Sequence, residues 1–197
     1  YFILKNIISK DYLDFLKKVS EKINPVKHNM YGSGQFGRNH INSHEFDIFH
    51  KELYDLVKNI IGNQYYKTYN YCMEYTINNE LLPHLDLIEN EISATTCYAS
   101  EKDYPIYISK KFMENNYLER YTYDINNIKE EDIVEINIQV GDIGFFNGRN
   151  HLHFRKKLEE NINYRGILTH YSKTIRDSDE WKKKTSEIPP YLNSNSG

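Results

Sequence analysis

The sequence predicts an α+β fold in which N-terminal helices support a β-rich jelly-roll core. Three observations carry that expectation. Apolar residues recur at helical spacing through the first third of the chain, and from Tyr65 onward they alternate or run in short blocks. Turn signals such as Gly141-Asp142 separate those blocks. Helices first and many antiparallel strands afterwards suit two sheets packed face to face.

Ser9 is placed to cap a helix whose apolar face reads Tyr12, Phe15, Leu16, Val19 and Ile23, before Asn24-Pro25 stops it. Ser43 is placed to cap a second, with Phe49, Leu53, Leu56, Val57 and Ile60 at helical spacing and Gly62 as the residue just past its end. Residues 26–42 between them read as a loop. Tyr69, Tyr71, Met73 and Tyr75 alternate along a first strand, and further strands are expected over 92–99, 104–109, 133–140, 143–147 and 164–171. Residues 110–130 are polar and read as an insertion with a short helix. From Asp177 the chain is charged, then Pro- and Ser-rich, and is expected to pack loosely. With no repeat and no second domain signal, one domain is expected over 1–197: helical support about 1–62, core about 65–172 and tail about 177–197.

A net charge of −3 over 197 residues, with both signs interspersed, gives no electrostatic footprint for nucleic acid or an anionic membrane. No run approaches the roughly 18 apolar residues that span a bilayer. Cys72 and Cys97 are too few for a disulfide framework and sit in strand-like apolar segments; buried thiols in a reducing, cytoplasmic setting are expected. The chain opens on Tyr1 rather than methionine, which leaves room for a preceding segment. Eighteen tyrosines, with many Ile, Asn and Lys, point to an AT-rich genome more than to any chemistry.

The chemistry concentrates in two short stretches, His84-Leu85-Asp86 and His153-Phe154-Arg155, with Arg165 twelve residues after the second histidine. On a strand, side chains alternate with period 2, so His-x-Asp presents an imidazole and a carboxylate to one face. A second histidine from a distant strand would complete a two-histidine, one-carboxylate facial triad. Such a set holds Fe(II) and leaves the opposite positions open for a chelating cosubstrate and dioxygen. His151 and His153 would share a strand face, so spacing on the strand leaves both open as the distal ligand.

Pro83-His84-Leu85-Asp86, then Gly141-Asp142-Ile143-Gly144-Phe145-Phe146, then His153 and Arg165, in this order, resemble the prolyl-hydroxylase-like branch of the 2-oxoglutarate- and Fe(II)-dependent dioxygenases. The resemblance covers roughly residues 65–172 and implies a double-stranded β-helix. It also implies His84, Asp86 and His153 as the catalytic metal ligands: His153 lies seven residues after Phe146 and twelve before Arg165, whereas His151 lies five after and fourteen before. Arg165 is expected to hold the far carboxylate of 2-oxoglutarate, because a planar guanidinium donates two parallel hydrogen bonds to such a group. Thr169 shares its face. Tyr75, nine residues before His84, and Tyr98 match tyrosine positions beside the cosubstrate, with Tyr71 a weaker candidate. Arg155 is a candidate for a substrate carboxylate or for a structural ion pair.

The implied reaction consumes O2 and 2-oxoglutarate, releases succinate and CO2, and hydroxylates an unactivated carbon of an amino acid, free or peptidyl, with prolyl as one candidate. A carboxylate at Asp86, where related halogenases carry a small residue, favours hydroxylation over halogenation. Two alternatives stand beside it. Nucleic-acid demethylating relatives carry a further arginine soon after the cosubstrate-binding one, but here Arg176 comes eleven residues after Arg165. A non-catalytic jelly-roll binding module would need no metal ligands. Gly32-Ser33-Gly34-Gln35-Phe36-Gly37 matches a dinucleotide fingerprint in letters only, without the strand before it or the helix after it. Lys182-Lys183-Lys184 reads as a solvated face, Trp181 as an anchor for the tail, and His170, on the strand face opposite Arg165, as a core residue.

Overall fold

The computed structural model describes residues 1–22, 40–41, 44–87, 90–114, 123–124, 127–159 and 161–174. The glycine-rich 32–37 stretch, residues 115–122 and 125–126 of the polar insertion, Arg176, Trp181 and the lysine run fall outside them.

Helix α1 spans Lys10–Lys22 and α2 spans His44–Ile61. Ser9 caps α1, its Oγ accepting the Tyr12 N–H at 3.3 Å. Gly62 closes α2 with φ +109°, donating its N–H to the Lys58 carbonyl at 2.8 Å; this left-handed conformation suits glycine because a side chain there is strained. The buried stripes are rotated slightly from the sequence expectation. Leu13 and Leu16 on α1, and Phe46, Phe49, His50, Leu53 and Val57 on α2, face inward, while Phe15, Leu56 and Ile60 remain exposed.

Ten strands follow in chain order: β1 Phe2–Leu4, β2 His40–Ile41, β3 Tyr66–Tyr75, β4 Leu81–His84, β5 Ile92–Ser100, β6 Ile106–Ser109, β7 Ile133–Ile136, β8 Ile143–Phe146, β9 His153–Arg155 and β10 Tyr164–Ser172. They form a six-stranded sheet, ordered β1-β8-β5-β10-β3-β2, and a four-stranded sheet, ordered β4-β9-β6-β7. Every strand pairing within them is antiparallel.

Period-2 alternation sorts the six-stranded sheet into two faces. Cys72, Ala94, Tyr98, Ile143, Phe145, Ile167 and Tyr171 pack with residues of α1 and α2. Met73, Tyr75, Cys97, Phe146 and Tyr164 turn the other way and pack with Ile106, Ile108 and Ile136 of the smaller sheet. The turn before β8 is built by Asp142, which is buried. Its carboxylate accepts N–H bonds from Asn6 and Gln139 at 3.0 and 3.1 Å and takes the Lys5 ammonium at 2.6 Å. That turn ties β1 and the start of α1 to the core, since the Gly141 carbonyl also accepts the N–H groups of Ile7 and Ile8.

Candidate metal centre

The residues expected to bind metal lie where the two short strands β4 and β9 pair. His84 and His153 are direct cross-strand partners, with ring centroids 4.2 Å apart. Strand β4 ends at His84. Asp86 therefore stands just beyond it, where its N–H bonds to the Gly148 carbonyl at 2.8 Å. One donor atom from each of His84, Asp86 and His153 lies within 4.8 Å of the others. Asp86 Oδ1 is 3.8 Å from His84 Nε2 and 3.6 Å from His153 Nε2.

Both imidazoles are oriented from behind. His84 Nδ1 bonds the Leu82 carbonyl at 2.8 Å and His153 Nδ1 bonds the His151 carbonyl at 3.0 Å. A carbonyl can only accept, so each Nδ1 carries a proton, and Nε2 is the ring atom turned toward Asp86. Burial opposes the charge on Asp86, yet the imidazoles of His153, His170 and His84 outweigh it and hold the carboxyl well below the usual carboxylate range. With Nε2 of each ring as a ligand atom, two imidazoles and an ionised carboxylate are a donor set suited to a divalent first-row metal. The other candidate histidine, His151, points away: its Nδ1 bonds the Ser109 carbonyl at 2.9 Å and its ring meets Phe112 edge-on.

The expected cosubstrate set divides between the two faces of the large sheet. Tyr75 lies on the inner face, in the layer shared with the small sheet. Arg165, Tyr98 and Thr169 do not. Arg165 donates from Nε to Glu74 at 2.8 Å and lies 3.8 Å from Glu21 of α1. The Tyr98 hydroxyl meets Cys72 Sγ at 3.4 Å, and Thr169 Oγ1 meets the Tyr171 hydroxyl at 3.2 Å, both among helix-facing residues. The reason is parity: on β10 Ile167 and Tyr171 face the helices, so Arg165 and Thr169 do too, while Tyr164 and His170 face inward.

Arg155 takes the inward place. Two residues past His153 on β9, it is buried among the rings of Tyr164, Tyr104 and Tyr75, its Cζ 4.4, 5.0 and 5.6 Å from their centroids. It donates to the Tyr104 carbonyl and to the Tyr164 hydroxyl, the latter at 3.0 Å, and its Nε has no partner. Among the described residues no carboxylate lies within ion-pair distance of it. Burial works against its charge, and the three phenol groups outweigh that effect. The Tyr71 and Thr95 hydroxyls on the same inner face are also buried without a partner. They flank Leu168, which pairs with both residues. Strand parity from His153 was the signal for Arg155. Tyr104, Tyr164, Thr95 and Ser93 carried none, being ordinary core or strand residues by pattern.

No family model and no curated protein matches the chain. Solved structures do. HygX from Streptomyces hygroscopicus, with nickel and 2-oxoglutarate bound, superposes with a TM-score of 0.64 at 12% identity, covering 87% of this chain and 82% of HygX. The non-heme α-ketoglutarate-dependent epimerase SnoN from nogalamycin biosynthesis gives 0.66 at 10% identity, with 86% and 77% covered. An oxidoreductase of the 2OG-Fe(II) oxygenase family from Burkholderia pseudomallei gives 0.60 at 10% identity, with 87% and 85% covered. The chain is thus similar across most of its length to three such proteins, and the fold it adopts is that of the 2-oxoglutarate- and iron-dependent oxygenases.

Proposed function

We propose that this chain is an Fe(II)- and 2-oxoglutarate-dependent oxygenase that hydroxylates a carbon of a small molecule, its two sheets forming a double-stranded β-helix. The observation that carries the reading is the convergence of His84 Nε2, His153 Nε2 and Asp86 Oδ1, with both imidazole tautomers set by backbone carbonyls. His84, Asp86 and His153 would hold the metal. When bound, iron and 2-oxoglutarate supply the oxidising chemistry, coupling decarboxylation of the cosubstrate to transfer of one oxygen atom from O2 to the substrate.

The protein's own part is positioning. Arg155 is assigned to the far carboxylate of 2-oxoglutarate in place of Arg165. A buried guanidinium without an acidic partner is costly by itself, and a carboxylate offers the charge and the hydrogen-bond geometry it lacks. Tyr71 and Thr95 contribute unspent hydroxyls on the same face. The enclosing rings of Tyr75, Tyr104 and Tyr164 exclude water from that end, which strengthens the pairing.

For the substrate, an amino acid, free or peptidyl, remains the reading suggested by sequence. A small molecule like hygromycin B is a second, supported by HygX having been solved with hygromycin B bound. The test is succinate release with and without Fe(II), across free amino acids, Pro-containing peptides and hygromycin B, with products checked for a gain of one oxygen. Iron-dependent succinate that is lost in Asp86→Ala is expected. Equal succinate from both proteins, or none from either, would overturn the reading.

A further inference from the structure

Asp86 presents its two oxygens to different surroundings. Oδ1 faces the two imidazole Nε2 atoms, while Oδ2 accepts the hydroxyl of Ser93, and His170 Nδ1 stands 3.0 Å from that hydroxyl and 4.0 Å from Oδ2. Ser93 has one hydrogen, and an ionised carboxylate can only accept it. His170 must then donate from Nδ1 to the Ser93 oxygen, which fixes its tautomer. Ser93 and His170 are buried and pair directly across β5 and β10. Behind His170 the Tyr69 ring packs at 4.8 Å, and Asn90 Nδ2 holds the Tyr69 hydroxyl at 2.7 Å. On the remaining side the carboxylate meets bare backbone. A Cβ on Gly148 would stand 2.8 Å from Asp86 Cγ and 2.7 Å from Ser93 Oγ.

Resting on the metal-site reading above, we propose that Ser93 and His170 are positioning residues that tie down Asp86 Oδ2 and present Oδ1 alone to the metal. A carboxylate held in this way occupies one coordination position rather than two. The position it leaves vacant is available to dioxygen or the cosubstrate. The link is a two-step hydrogen-bonded chain, His170 to Ser93 to Asp86, whose members come from β10, β5 and the loop after β4.

The experiment uses Co(II) added to the metal-free full-length protein under anaerobic conditions, followed by visible absorption, which reports coordination number without turnover. The parent protein is expected to bind Co(II) with a six-coordinate spectrum. Ser93→Ala is expected to bind it about 10- to 100-fold more weakly, with a changed spectrum and an unchanged near-UV circular dichroism. Ser93→Thr, which keeps the hydroxyl, restores both. His170→Asn, which can place an amide N–H where Nδ1 lies, is expected to stay close to the parent, and His170→Leu to behave as Ser93→Ala does. The histidine pair keeps the test open should the serine variant fail to fold. Parent-like affinity and spectrum in folded Ser93→Ala or His170→Leu would overturn the positioning role while leaving the metal site standing. Failure of the parent protein to bind Co(II) would overturn both.

Discussion

The two faces of the six-stranded sheet use similar residues to opposite ends. The layer against each face holds an arginine, tyrosines and a buried histidine. Toward the helices, Arg165 is answered by Glu74 and Glu21, the Tyr98 hydroxyl by Cys72, and the rest is apolar packing around Phe46, Phe49 and Val57. Toward the small sheet, Arg155 has no acidic partner among the described residues, Tyr71 and Thr95 keep hydroxyls unspent, and Asp86 sits among three imidazoles. Partnered polar groups suit a scaffold, and under the proposed reading the buried guanidinium with no acid beside it is held for an anion. On that reading the difference separates support from chemistry without reference to sequence order.

The largest effect should come from closing the space behind Asp86. In Gly148→Ala the new methyl meets the Asp86 carboxylate and Ser93 together, and the contacted groups end short side chains that are bonded to one another. Metal affinity should fall by roughly 100-fold or more, read by Co(II) titration, while far-UV circular dichroism stays native. Near-parent affinity would show that the inner face tolerates movement and is less preorganised than its contacts imply.

Exchanging arginines across the sheet comes next. Arg155→Leu should raise the 2-oxoglutarate concentration needed for half-maximal succinate formation at least about tenfold, the scale of losing a charge-assisted pair. Arg165→Leu should leave it within about twofold. If the two outcomes were reversed, the assignment of chemistry to the inner face would be wrong.

How these faces were written in the sequence is uneven. The helical support and the strand-rich region were legible, because Ser9, Gly62 and the alternation from Tyr69 to Tyr75 act locally. Strands β4 and β9, which carry both histidines, were not marked by alternation: at four and three residues they are too short to show a period. The choice of Arg165 followed motif order. Alternation along β10 already coupled Arg165 to Ile167 and Thr169, but period 2 alone does not say which parity faces the core. Apolar Ile167 facing the helices settles it only once the helices are placed. Ser93 and His170 lie 77 residues apart, so their meeting at Asp86 belongs to strand pairing and has no local signature.

A smaller effect sharpens the comparison through pH. His50, on α2 and packed edge-on to Tyr171 at 5.3 Å, is pushed down to about 3 by burial, with Lys67 and His170 adding to the effect. The folded protein keeps it neutral while the unfolded chain takes up a proton below about pH 6.5. Its contribution is thus complete above that pH and declines as pH falls toward 3. At pH 5 the loss from His50 is about 2 kcal/mol. Denaturant melts of metal-free protein should show this decline, and His50→Leu should flatten it. His170, lowered by burial in the same direction, should leave a residual slope in that variant. An unchanged slope would mean that the histidine on α2 is not held neutral.

The smallest expected effect bears on the tyrosine that sequence pattern assigned to the cosubstrate. Tyr98→Phe removes a hydroxyl whose neighbours are the weakly polar Cys72 Sγ and the Ser20 hydroxyl of α1, in a layer where the ring itself packs against Phe46. Removing these bonds should change stability by about 1 kcal/mol, and the ring's packing is kept. The 2-oxoglutarate requirement should not move, because the sheet backbone stands between this hydroxyl and Arg155. Tyr164→Phe supplies the contrast, since it removes the hydroxyl that Arg155 donates to at 3.0 Å and should loosen the guanidinium enough to raise that requirement. A shift in Tyr98→Phe equal to that in Tyr164→Phe would require the two faces to act as one unit, and the division drawn between scaffold and site would fail.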